Sequence, residues 1–116
     1  MPANQNTDQM VQILRDTIVS LVRRDGPDLS ARQLGVFLTC YLQEGPHTVR
    51  GLAADLNVSK PAITRALDRL EIHGLVRRKV DESDRRSVLL QRTVKGSVYL
   101  REFGDIIVDA AAQTED

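Results

Sequence analysis

A chain of 116 residues with 16 basic side chains, 16 acidic ones and a single cysteine is long enough for one domain with its own core, and it excludes an internal disulfide and a Cys-rich zinc site. The net charge of zero hides an uneven layout: residues 57–92 carry 9 basic and 5 acidic side chains, against 5 and 6 in residues 1–56 and 2 and 5 in residues 93–116. The start MPANQNTDQ lacks a cationic, then apolar leader, and no stretch nears roughly 18 apolar residues, so the expectation is a soluble, cytoplasmic protein with no membrane span.

In chain order, Met10, Ile13, Leu14, Ile18, Leu21 and Val22 recur at three and four residues and predict an amphipathic helix from about Thr7 to Arg24. Asp25-Gly26-Pro27, Glu44-Gly45-Pro46 and His73-Gly74 each follow helical spacing. They read as stops, glycine supplying a left-handed residue and proline forbidding continuation. A second helix starts at Ser30, which pairs with Gln33 as a capping box, turns Leu34, Phe37, Leu38, Tyr41 and Leu42 inward, and ends at Gly45. A third runs from a Thr48 cap through Leu52, Ala53 and Leu56, and a break at Asn57-Val58 separates it from a fourth, capped by Ser59 and reaching His73.

After Gly74 the period changes. Leu75 to Val80 and Ser87 to Arg92 are short and rich in Val and Leu, and the polar stretch Asp81 to Arg86 lies between them, so a two-stranded hairpin is expected. From Thr93 the spacing of Tyr99, Phe103, Ile106 and Ala110 is helical again. The fold class is therefore mainly α with a small β-hairpin: a winged helix-turn-helix. One domain spans 1–116, with a nucleic-acid-binding core at 30–92 and helices at 7–24 and 93–112 for dimerisation.

The basic segment coincides with the parts of such a fold that meet DNA. A recognition helix at 59–73 enters the major groove. Ile63, Leu67 and Leu70 fall within about 60° of one another around its axis. The opposite face presents Pro61, Thr64, Arg65, Asp68 and Arg69. Pro61 fits only in the first turn, where no N–H partner is lost. The amides after Ser59, together with Lys60, suit a phosphate oxygen. Arg65 is the first choice for a base contact because guanidinium matches the paired acceptors of guanine, while Thr64 suits a base edge or a phosphate. Arg85 and Arg86 occupy the expected hairpin tip, from which arginine enters a narrow minor groove. Thr48, Arg77 and Arg78 complete the expected contacts, and Asp84 joins them below. The plain alternatives are a solvated basic face balanced by Asp68, and a tip neutralised by Asp81, Glu82 and Asp84. Those carboxylates have no EF-hand spacing or partner His, so no metal is expected.

Three stretches, LAADLNVSKPAITRALDRLEIHGLVRR, the wing DESDRR, and TVKG opening the last helix, resemble the MarR-type winged-helix transcriptional regulators of bacteria, from about Leu34 to Gly96. The resemblance implies that dimers bind pseudo-palindromic operators and that an Asp-x-Arg pair, here Asp84 and Arg86, places arginine in the minor groove. Ser83 stands where such wings often carry Arg, and Arg92 precedes Thr93 where the family usually has Leu. About 20 residues follow Gly96, fewer than the family gives to dimerisation and to its inducer cleft. The resemblance allows a small-molecule effector, and the short segment does not favour one.

Apolar residues at Ile106, Ile107, Val108 and Ala110 to Ala112, with the stripe of the first helix, exceed what a small winged core needs and point to a homodimer. Cys40 reads as a small buried hydrophobe, and His47 and His73 as residues at helix ends. No nucleophile-base set and no phosphate loop is present, so neither catalysis nor a cofactor is expected. The competing class is a winged-helix protein-interaction module that docks another protein without specific DNA binding, which near-neutral charge suits.

Overall fold

The computed structural model describes the backbone of residues 2–114 and the side chains of residues 6–114. Part of the start on which the leader reading rests, and the last two residues of the polar tail, lie outside that range. Helix α1 (Pro2–Arg23) is followed by α2 (Ala31–Leu42), strand β1 (His47–Thr48), α3 (Val49–Leu56), α4 (Lys60–Ile72), β2 (Val76–Asp81), β3 (Asp84–Arg92) and α5 (Val94–Thr114). This is the expected winged helix with one strand more: the sheet is three-stranded, in the order β1-β3-β2. The chain forms two compact units, residues 29–100 and residues 1–28 with 101–116.

Local chemistry sets the helix boundaries in the larger unit. Ser30 Oγ accepts the N–H of Gln33 at 3.1 Å while Gln33 Oε1 accepts the N–H of Ser30 at 2.9 Å, the reciprocal box expected for α2. Thr48 Oγ1 accepts the Gly51 N–H at 2.9 Å and Ser59 Oγ the Ala62 N–H at 3.2 Å, capping α3 and α4. Asn57 ends α3 at φ 57°, a left-handed turn that its short polar side chain tolerates. The three expected glycine stops divide: among them only Gly74 has positive φ, at +74°. At the end of α2 the cap is instead Gln43 in an extended conformation, so the chain leaves that helix by straightening.

The core of this unit is built by Val36, Phe37, Leu52, Ile63, Leu67, Leu70, Leu75 and Val76, all essentially inaccessible. Phe37 stacks on Tyr41 with centroids 4.5 Å apart and meets Tyr99 edge-on at 5.3 Å. On α2 the inward face is rotated from expectation: Val36 and Cys40 are buried while Leu42 is exposed. Tyr41 Oη donates to Leu75 O at 2.6 Å and accepts the Thr93 N–H at 2.9 Å. Thr93 Oγ1 donates to Gly74 O at 2.6 Å and accepts the Gly96 N–H at 2.9 Å. The TVKG segment is therefore the joint where α2, the start of the hairpin and α5 meet.

In the smaller unit, α1 buries Thr17, whose hydroxyl donates to Ile13 O at 2.7 Å. Arg24 pairs with Glu102. The stripe that predicted α1 is largely open: Met10, Leu14, Ile18 and Val22 are all exposed. No helix of the described residues is long and apolar enough to cross a membrane.

Candidate nucleic-acid interface

Helix α4 presents the surface that its sequence pattern implies. Ala62, Ile63, Ala66, Leu67 and Leu70 are buried, while Pro61, Thr64, Arg65, Asp68 and Arg69 are exposed. Successive residues lie about 100° apart around a helix, so Thr64 and Arg65 point to different sides. Lys60 and Thr64 line a cleft of about 420 Å³ together with Thr48 and Arg50 of α3 and its cap, and Arg78, Asp84 and Arg86 of the hairpin. Arg65 lines a separate recess with Ser30, Arg32 and Gln33 at the start of α2.

The hairpin differs from expectation at its tip. The six-residue turn is in fact a two-residue one, Glu82-Ser83, with Asp81 opposite Asp84. Asp81 Oδ1 accepts the Ser83 N–H at 3.0 Å and its hydroxyl at 2.7 Å. These bonds hold the Asp81 carboxyl below its ordinary range, and they tighten the turn. Regular pairing ends at Val80 opposite Val88, so Arg85, Arg86 and Ser87 have no counterpart on β2 and form a bulge. The two arginines thus sit on β3 beside the tip, in a backbone irregularity of the kind that re-aims side chains.

The arginines of the interface differ in their partners. Arg86 has 90% of its side chain exposed, and Asp84 Oδ1 accepts its N–H at 3.2 Å and lies 3.6 Å from its Nε. Arg78 is committed elsewhere: its Nε and Nη2 donate to Glu71 Oε1 at 3.1 and 2.7 Å, its N–H donates to Glu71 Oε2, and Nη2 lies 2.7 Å from Asp68. Hydrogen bonds from Arg78 pull the Glu71 carboxyl below its usual value, and the same bonds raise the guanidinium. Asp68, the carboxylate expected to balance Arg65, is thereby engaged by Arg78 instead. Among the described residues no ion pair involves Lys60, Arg65, Arg69, Arg77 or Arg85.

The cleft brings together Thr48, Lys60, Thr64, Arg78, Asp84 and Arg86 of the expected set. It does not include Ser59, Pro61, Arg65, Arg69, Arg77 or Arg85. Arg50 and Arg32 were not selected from the sequence. Their signal was available, since each is an exposed arginine in the first turn of a capped helix, but nothing local says which surface such a residue faces.

Cys40 is buried, and burial pushes its thiol up to about 11, the behaviour of an inert core thiol. Among the described residues no three His, Cys, Asp or Glu side chains come together as a metal site requires.

Residues 29–88 match the MarR family. Solved structures resemble the chain along most of its length. The transcriptional regulator Tm0710 from Thermotoga maritima is 27% identical over 73% of this chain and 56% of its own, with a TM-score of 0.58. MarR is 29% identical over 95% of this chain and 77% of its own, at 0.63. Overoxidized AbfR bound to DNA is 23% identical over 93% and 74%, at 0.66, a likeness of fold. The chain thus spans little more than half of Tm0710 and about three quarters of the other two. With the family matched across the helix-turn-helix and most of the hairpin, and with the same fold in these structures, the chain belongs to the MarR family of winged-helix transcriptional regulators.

Proposed function

We propose that the chain binds double-stranded DNA as a homodimer and regulates transcription by occupying a pseudo-palindromic operator, with α4 in the major groove and the β2–β3 hairpin along the adjacent minor groove. The observation that carries this reading is the cleft in which Lys60 and Thr64 of α4, Thr48 and Arg50 of α3 and its cap, and Arg86 of the hairpin converge. Lys60 and Arg50 have no carboxylate partner among the described residues. Unneutralised cations held in common orientation are what a phosphate backbone selects. AbfR, which shares the fold, is bound to DNA in its solved structure.

Roles follow from position. Lys60, the amides after Ser59, Thr48, Arg77 and Arg85 meet phosphates, and Pro61 fixes where the helix that presents them begins. Thr64, Arg65 and Arg69 read base edges, each good bidentate contact contributing on the order of 1–3 kcal/mol of discrimination. Asp84 steers Arg86 toward the minor groove. Arg78, already engaged by Asp68 and Glu71, holds β2 against α4 and acts as a positioning residue. The exposed stripe of α1, with Met10 52%, Leu14 60% and Val22 72% accessible, supplies apolar surface for a second copy, which would set two recognition helices roughly 34 Å apart.

Selection of bound sequences from a random duplex pool tests the reading directly. A two-fold symmetric motif with half-sites one helical turn apart is the expected result. On the selected site, Arg65→Ala relaxes sequence preference, whereas Arg86→Ala weakens binding to all duplexes and flattens the salt dependence. Equal losses on selected and random DNA for both variants would remove these assignments.

A further inference from the structure

The exposed ridge of α4 has a cationic flank on each side, and only one of them is explained by the wing. On one flank, Lys60 and Thr64 face the cleft shared with the hairpin. On the other, a recess of about 190 Å³ opens between α4 and the start of α2, floored by the small residues Ala62 and Ala66 and rimmed by Arg65, Arg32, Ser30 and Gln33. Two guanidinium side chains line this recess and no carboxylate does. Among the described residues neither Arg32 nor Arg65 makes an ion pair, and Asp68 is held by Arg78 instead. Ser30 and Gln33 use their side-chain oxygens as acceptors in their mutual cap, so the guanidinium groups are the charged donors that the recess offers to an anion.

A helix lying in the major groove is bordered by a phosphate strand on either side. The cleft toward the wing accounts for one border. We propose that Arg32 contacts the phosphate backbone at the other border, beside Arg65, so that the DNA footprint extends past the helix-turn-helix to the first turn of α2. This rests on the DNA-binding reading above. It adds a contact that neither α4 nor the hairpin supplies, and it gives a reason for two like charges to share one recess: the anion between them relieves their repulsion.

The test is fluorescence anisotropy with the full chain on the selected duplex and on a random duplex of equal length, across 50 to 200 mM salt. The proteins are the wild type, Arg32→Ala, Arg32→Lys and, as a control for net charge, Arg101→Ala, an exposed arginine on α5, each variant first shown by analytical ultracentrifugation to have the oligomeric state of the wild type. Each phosphate contact contributes about 0.9 to the slope of log affinity against log salt. Arg32→Ala is therefore expected to weaken binding to both duplexes by a similar factor, and its deficit against wild type shrinks by roughly 3.5-fold per subunit over that fourfold salt range. Arg32→Lys recovers most of the slope, and thermal melting of both variants matches wild type, since Arg32 is exposed. An Arg32→Ala protein that matches Arg101→Ala overturns the proposal, as does a loss confined to the selected duplex with the slope intact. If the wild type binds neither duplex at any salt, the DNA-binding reading fails with it, whereas the first two outcomes remove the Arg32 contact alone.

Discussion

Replacing Gly96 with alanine probes the joint that organises the larger unit. A Cβ at this position would lie 1.8 Å from Tyr41 Oη, 2.5 Å from Tyr41 Cζ and 2.4 Å from Leu75 O. No rotamer change relieves this. The Tyr41 ring is buried against Phe37, and the Leu75 oxygen is backbone at the entrance to β2. Relief requires α5 to move away, which breaks the two bonds that anchor Thr93 at its start, from the Thr93 N–H to Tyr41 Oη and from the Thr93 hydroxyl to Gly74 O. These bonds contribute about 1 kcal/mol each, and any group left buried and unpaired costs a further 1–3 kcal/mol or so. The helix preference of alanine over glycine returns about 1 kcal/mol. The net destabilisation is roughly 2–4 kcal/mol. With an unfolding entropy near 2.1 cal/mol/K per residue, a chain of 116 residues then melts roughly 8–16 °C lower. Thermal unfolding followed by far-ultraviolet circular dichroism measures the shift. Tyr41→Phe added to Gly96→Ala removes the hydroxyl contact but leaves the ring carbon and the Leu75 oxygen in place, so it rescues little. A Gly96→Ala protein melting within about 2 °C of wild type would refute the reasoning.

Arg78→Met removes the clamp between β2 and α4. Because Asp68 and Glu71 have 52% and 36% of their side chains exposed, solvent screening limits the stability loss to about 1 kcal/mol, whereas affinity for the selected duplex falls more than for random DNA; equal losses with a lower salt slope would instead identify Arg78 as a phosphate contact. His73 supplies a pH dependence. Its Nε2 is buried with no hydrogen-bond partner among the described residues, and burial, then the charges of Arg69 and Lys95, lower its folded pKa. The unfolded chain therefore binds the proton first, near pH 6.5, so stability present above that pH declines as the solution is acidified below it. His73→Gln should flatten this limb of a melting-temperature profile between about pH 7.5 and 5.5, and an unchanged limb would assign the dependence to other groups.

Most of the fold was legible because its signals are local. The Ser30 box, the Thr48 and Ser59 caps, Pro61 in the first turn of α4 and the spacing of Ile63, Leu67 and Leu70 each act within a few residues, and each appears as expected. Strand β1 was missed because two residues, His47 and Thr48, carry no period; they are a strand only because Leu90 and Leu89 pair with them. The hairpin loop was drawn too long because polarity marks a loop, while its real length depends on Asp81 closing the turn and on the bulge at Arg85 to Ser87. The candidate site was legible as a list of cations and not as a grouping. Arg78 and Arg86 read alike in sequence, yet one is clamped by two carboxylates and the other is nearly free.

Sequence alone determined the order of the five helices and the hairpin, the starts of α2, α3 and α4, the buried face of α4 and the concentration of positive charge in residues 57–92, because caps, periodicity and composition act over one or two helical turns. Tertiary structure decided which charges remain available. Whether a carboxylate neutralises Arg65 or Arg78 depends on how β2 lies against α4, and whether Arg32 and Arg50 border the same surface as α4 depends on how three separate helices pack. Those are distances across the fold, set by the shared core around Phe37, Ile63 and Leu70, and no local pattern encodes them.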